Sequence, residues 1–192
     1  MDTPLPWYVA IGASGPAGMR DIINLLKELS PDCNASFLVV LHRPIEYESR
    51  LQSVLQRELR LPVRIAEEGE PLLTGVCYIG HPTAHLTVSA CGQAALINGE
   101  ADVFRNRTVD LLFGSVAEYA RKRGIGVVLS GWLDDGSRGL AAIHRCGGVT
   151  MVLRPEPGEP GMQQSAIEYH EPISFIGTSS ELANAILRIA SG

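Results

Sequence analysis

The sequence has no apolar run near the roughly 20 residues that a membrane-spanning helix requires. Its start, Met1-Asp2-Thr3-Pro4, carries neither the basic nor the apolar region of a signal peptide. No membrane insertion and a cytoplasmic location are therefore expected. Cysteine is sparse: Cys33, Cys77, Cys91 and Cys146 stand far apart with no C-x-x-C pair, which argues against a zinc cluster and a dense disulfide framework. All four are expected to be reduced, structural and buried. Positive charge is also short. Sixteen Lys and Arg face 21 Asp and Glu, the net charge is -5, and the basic residues are scattered, so no basic stripe exists for nucleic acid.

What is present fits a globular α/β protein: 45% hydrophobic residues, 19% charged, and 20 glycines in 192 residues. We expect one domain over 1–192, with a doubly wound, mostly parallel sheet of Rossmann-like form and helices on both faces. Nearly uninterrupted apolar runs at 8–13, 36–41, 126–130 and 149–153 read as strands covered on both sides. Between them, 19–29, 47–60, 109–123 and 139–146 repeat apolar residues every three or four positions, as crossover helices do. Short strands at 63–66, 76–79, 85–89 and 94–98 predict a strand and small hairpin extension at one edge. A Pro- and Gly-rich stretch at 154–161 precedes a short helix, and 179–189 reads as a final helix capped by Ser180 or a neighbour.

Ligands of open α/β sheets collect beyond the C-terminal strand ends, so the residues there come first. The first strand runs into Gly12-Ala13-Ser14-Gly15-Pro16-Ala17-Gly18, which presents Ser14 on a sharp turn before a helix. Small neighbours admit a substrate carbonyl, and amides at a helix start can stabilise an oxyanion. Two other readings compete. Ser14 can serve as a helix cap, and the glycines can cradle a pyrophosphate, although the spacing is not G-x-G-x-x-G and His42-Arg43 occupies the place of a ribose-binding acid.

His42 follows Phe37-Leu38-Val39-Val40-Leu41 and so emerges at the same sheet edge, where it is a candidate general base. Val127-Val128-Leu129-Ser130-Gly131-Trp132-Leu133-Asp134-Asp135-Gly136 delivers a carboxylate, Asp134 or Asp135, able to orient His42, or to make turn and capping contacts instead. Convergence of three residues on one edge favours a serine hydrolase. The order Ser, His, Asp, outside a G-x-S-x-G turn, departs from α/β-hydrolases.

With these residues in view, the chain resembles the chemotaxis protein-glutamate methylesterase (CheB-type) catalytic domain over nearly its whole length. Ile11-Gly12-Ala13-Ser14 is similar to that family's nucleophile turn, and Leu41-His42-Arg43-Pro44 to its His-x-Pro segment. The stretch Glu68-Gly69-Glu70 through Gly75-Val76-Cys77-Tyr78-Ile79 resembles its middle strands, followed by His85-Leu86. Thr108-Val109-Asp110-Leu111-Leu112-Phe113-Gly114-Ser115-Val116-Ala117 matches its S-V-D-x-L-F-x-S-V-A helix, and Gly161-Met162 with Ala166 its G-M-P-x-x-A segment. Ser130 to Gly136 aligns with T-G-M-G-x-D-G, which selects Asp135 over Asp134. Gly15-Pro16-Ala17 stands where the family has Thr-Gly-Gly, Trp132-Leu133 replaces Met-Gly, His81 replaces Pro, and Arg154-Pro155 replaces Gln-Asp.

The resemblance implies a triad of Ser14, His42 and Asp135 that hydrolyses glutamate methyl esters on chemoreceptors and deamidates receptor glutamines, with no metal or organic cofactor. Backbone amides of Gly15 and Trp132 are the oxyanion candidates. It further implies a methylated chemoreceptor or similar protein as substrate and a separate response regulator as partner, since no receiver domain is expected in this chain. Two alternatives are a catalytically impaired binding or scaffold domain, motivated by Pro16 and Trp132, and a serine esterase or amidase with another substrate.

Overall fold

The computed structural model describes residues 5–42, 51–80, 83–98, 107–132, 134–156, 158 and 161–191. Arg43, Pro44, the helix start expected at 47–50, His81, Leu133 and parts of 154–161 lie outside or partly outside them. The described strands are β1 (Trp7–Ser14), β2 (Ala35–His42), β3 (Val63–Ile65), β4 (Cys77–Ile79), β5 (Ala84–Val88), β6 (Ala94–Asn98), β7 (Gly124–Val128), β8 (Val149–Leu153) and β9 (Phe175–Gly177). The helices are α1 (Gly15–Leu26), α2 (Leu51–Glu58), α3 (Thr108–Ala120), α4 (Ser137–Arg145), α5 (Met162–Glu168) and α6 (Ser179–Ala190).

Seven strands form one parallel sheet in the order β3-β4-β2-β1-β7-β8-β9. The chain winds outward from β1 to one side through β2 and then returns to wind outward on the other through β7. The crevice where the winding reverses therefore opens between the C-terminal ends of β1 and β7, and this is where such sheets bind ligands.

Strand alternation divides the core. Val9, Ile11, Ala13, Phe37 and Val39 pack with Ile22 and Leu25 of α1 and Leu182 and Ile186 of α6 on one face. Tyr8, Ala10, Leu38 and Val40 pack with Val109, Leu112, Phe113 and Val116 of α3 on the other. The period of two carries on to the strand ends, so Ser14 and His42 belong to the α3 face.

Several expectations are refined. Only β5 and β6 form the small antiparallel sheet, whereas β3 and β4 join the main sheet as its parallel edge. Leu86 and Val88 bind the hairpin to the α3 face, since they pack in its core. β9, three residues long, was not expected, being too short for periodicity. α1 begins at Gly15 and not Met19, because Gly15-Pro16-Ala17-Gly18 shows no apolar rhythm although Pro is well suited to a first helical turn. The cap of α6 is Thr178, a neighbour of Ser180: its side chain accepts from the Glu181 N–H while Glu181 accepts from the Thr178 N–H. Cys33 and Cys77 are buried as expected, but Cys91 is exposed and Cys146 half-buried.

Candidate active site

Ser14 and His42 are the last residues of β1 and β2 and are directly opposite one another in the parallel register. Adjacent strands lie about 4.8 Å apart, so the register alone sets the two side chains next to each other. Ser14 is buried, with its N–H donating to the Ser130 carbonyl at 3.0 Å. Its side chain makes no capping hydrogen bond to α1. The cap reading of this serine thus loses its expected contact. Gly15, at φ +67°, takes the left-handed conformation that glycine alone adopts without strain, turning the chain from strand into helix.

The loop after β7 closes on this turn. A Cβ on Gly131 would fall 2.2 Å from Met162 Sδ and 2.7 Å from Ser14 Cβ, and the Met162 N–H donates to the Gly131 carbonyl at 3.0 Å. Met162 is fully buried and has little room to yield. Gly131→Ala is accordingly expected to cost about 1–3 kcal/mol in urea unfolding and to slow phosphonate labelling of Ser14 at least about tenfold by displacing it. Gly114→Ala, in the α3 interior with open space around it, is the control and should gain roughly 0.5–1 kcal/mol. Equal behaviour of the two variants would rule out the close packing at Gly131.

Trp132 is 73% exposed at the mouth of the site, its Nε1 3.4 Å from where a Gly15 Cβ would sit. The large aromatic expected beside the site therefore stands next to the Ser14-Gly15 turn.

Of the two candidate acids, Asp134 is exposed and Asp135 buried. Asp135 Oδ2 accepts from the Val109 N–H at 3.0 Å and Oδ1 from the Asp110 N–H at 2.9 Å. These are orphan amides of the first turn of α3, whose own N-cap position holds Arg107, a side chain that makes no cap bond. Asp110 returns the contact: its Oδ1 accepts from the Gly136 N–H at 3.0 Å and the Gly139 N–H at 2.7 Å, at the start of α4, where the N-cap is Gly136 and has no side chain to offer. Burial pushes the Asp135 carboxyl up to about 6, with the Asp110 charge adding to the rise and the amides of Val109, Asp110 and Gly136 opposing it. Asp110 is raised too, by burial, against the pull of Gly139, Gly136, Arg107 and Arg138.

His85 and Asp110 lie within the family-like motifs, which by themselves give neither a role. His85 Nδ1 lies 3.0 Å from Thr108 Oγ1, and its Nε2 is buried with no hydrogen-bond partner among the described residues. Burial first, and then the neighbouring charge of His42, lower its pKa. The hairpin thus brings a second imidazole close to His42. Only its place after the middle strands hinted at this, because β5 and β6 are distant in sequence from β2 and α3.

With this geometry in hand, the chain compares closely with known proteins: the family described as CheB methylesterase matches residues 9–186. The chain belongs to the CheB methylesterase family. The protein-glutamate methylesterase/protein-glutamine glutaminase 4 of Myxococcus xanthus is 33% identical over 191 residues, covering 94% of the chain and 52% of that relative. The protein-glutamate methylesterase/protein-glutamine glutaminase of Yersinia pestis bv. Antiqua is 34% identical over 149 residues, 75% of the chain and 42% of the relative. The CheB-family chain thus spans about half the length of the curated relatives it matches. Its fold superposes on the crystal structure of the Thermotoga maritima CheB methylesterase catalytic domain with a TM-score of 0.84 and 26% identity, covering 96% of this chain and 98% of that one. The doubly wound sheet and separate hairpin are therefore those of the CheB catalytic domain. No helix among the described residues is long and apolar enough to cross a membrane.

Proposed function

We propose that this CheB-family chain is a serine hydrolase acting on γ-glutamyl methyl esters of chemoreceptors, with Ser14 as nucleophile, His42 as general base and Asp135 as the acid that orients it. The observation that carries the proposal is the register of β1 and β2, which sets Ser14 beside His42 at the switch-point crevice. Ser14 Oγ attacks the ester carbonyl as His42 takes its proton. The amides of Gly15 and Trp132 are proposed to hold the oxyanion. Collapse of the tetrahedral intermediate breaks the ester C–O bond, and His42 returns the proton to departing methanol. Water, activated by His42, then cleaves the acyl-enzyme to free glutamate and Ser14. A glutamine side chain follows the same course with ammonia leaving, in keeping with the glutaminase in the names of the relatives. A response regulator is the proposed separate partner. None of these steps calls for a metal or organic cofactor.

Trp132 beside Gly15 favours one second reading, a serine hydrolase with a narrower mouth and another ester as substrate. Methanol release from methylated receptor membranes, compared with turnover of small methyl esters, decides between them. At least about tenfold higher kcat/KM on the receptor is expected if remote substrate contacts contribute to the transition state. Turnover of small esters without methanol from receptor would overturn the methylesterase reading.

A further inference from the structure

We infer that Asp110 is a positioning residue for the proposed reaction: through reciprocal capping of α3 and α4 it holds the loop that carries Asp135 in its working place. The inference rests on the reading of Asp135 as the orienting acid. Its ground is the closed exchange of hydrogen bonds between two helix starts that lack caps of their own. Asp135 binds the second and third amides of α3. Asp110, the third residue of α3, binds the amide directly after Asp135 and the third amide of α4. Neither carboxylate can shift without freeing amides on the opposite helix, so the arrangement behaves as one unit.

The floor beneath this clasp is also fixed. A Cβ on Gly12 would meet Val109 Cγ1 at 2.2 Å, and one on Gly139 would meet Phe113 Cβ at 2.5 Å. The start of α3 is thus seated on β1 two residues before Ser14, and α4 is seated on α3. A movement of Asp110 is passed to the carboxylate of Asp135 and not absorbed by loose packing.

Both amides on Asp110 go to the same oxygen, Oδ1. That detail supplies the test, because asparagine retains one such oxygen and alanine retains none. In Asp110→Ala, kcat for methanol release is expected to fall about ten- to a hundredfold, as small misplacements of catalytic groups do, with KM within about threefold of the parent. Asp110→Asn should restore kcat to within about threefold. It should also move the acid limb of the pH–rate profile to lower pH, because a negative charge beside Asp135 has been removed. The other ionisable groups near the pair stay in place: Arg107 ahead of α3, Arg138 on α4 and exposed Asp134 on the same loop, with His85 bonded to Thr108 at the start of α3.

An Asp110→Ala variant that unfolds earlier in urea but keeps its kcat would overturn the inference, since Asp110 would then be only a structural cap. Should Asp110→Ala not fold, Asp110→Ser, whose hydroxyl is too short to reach both amides, is assayed in its place, and a kcat equal to the parent's overturns the inference. Labelling of Ser14 by a serine-directed phosphonate separates this from the methylesterase proposal. If wild-type protein labels but releases no methanol, the substrate reading fails, while a slower label in Asp110→Ala, rescued in Asp110→Asn, still upholds the positioning role.

Discussion

Ser14→Ala is expected to lower methanol release from methylated receptors by about a thousandfold or more, because loss of the nucleophile removes the covalent route and leaves only what binding and oxyanion contacts supply. The same substitution should barely alter stability. The Ser14 side chain makes no capping bond to α1, and the bond from its N–H to the Ser130 carbonyl belongs to the backbone and survives. A change within about 0.5 kcal/mol, ordinary for a substitution that removes no helix cap, is therefore anticipated in denaturant unfolding. The pairing of a large kinetic effect with a small stability effect is what separates a nucleophile from a helix cap. Loss of about 1 kcal/mol of stability with methanol release unchanged would assign Ser14 to the cap and sink the proposed mechanism.

Asp135→Asn should produce the second large loss, on the order of 10⁴-fold in kcat, if the carboxylate holds His42 in the tautomer that accepts the Ser14 proton. Its effect on stability depends on pH in a defined direction. The folded-state pKa of Asp135 is raised from 3.8 to about 6, so between those values the folded protein binds more protons than the unfolded chain. The stability due to this group is then fully present below about pH 4 and declines as pH rises through 6, by on the order of 2–3 kcal/mol. Asparagine removes that slope. It also sets an NH₂ against one of the two α3 amides, at a cost of about 1–3 kcal/mol. Urea unfolding at pH 4.5 and 7.5 should therefore show a smaller change in stability for the variant than for the parent.

Activity runs the opposite way. The ionised carboxylate is the form that stabilises an imidazolium, so wild-type kcat should fall as pH drops through about 6. In the proposed mechanism, the state that best serves catalysis is the one burial disfavours. Equal unfolding slopes in parent and variant would contradict the buried, raised carboxyl, and a variant with near-parent kcat would remove Asp135 from the mechanism.

The apolar runs of β1, β2, β7 and β8 were legible because strands covered on both faces show few polar residues, and their ends led directly to Ser14, His42 and the Asp134-Asp135 pair. The motif around Gly131 pointed to Asp135, and the structure buries that residue while exposing Asp134. β9 left no comparable signal, since three residues at a sheet edge, two of them with exposed side chains, carry neither periodicity nor a full burial pattern. Which of the short middle strands pair in parallel within the main sheet and which form the hairpin was likewise hidden. Short apolar segments look alike whether they pair in parallel within the main sheet or in a hairpin packed on α3.

Asp110 and His85 show the same limit at the site. An acidic residue in a first helical turn is ordinary dipole chemistry, and its sequence position does not reveal that Asp110 caps another helix 26 residues further on. His85 had no visible partner until the hairpin folded over α3 and set it against Thr108 and near His42.

By itself, the sequence determined the strand–helix alternation, the strand ends that carry Ser14 and His42, the loop after β7 that carries Asp135, and the lack of a basic or membrane-spanning segment, because composition and periodicity are local properties of the chain. Only the tertiary structure decided which strands share the sheet, that Ser14 and His42 stand in register, and that Asp135 and Asp110 exchange helix caps. Those relations join residues far apart in sequence, and the energy that selects them comes from burial and hydrogen bonding between surfaces that meet only after folding.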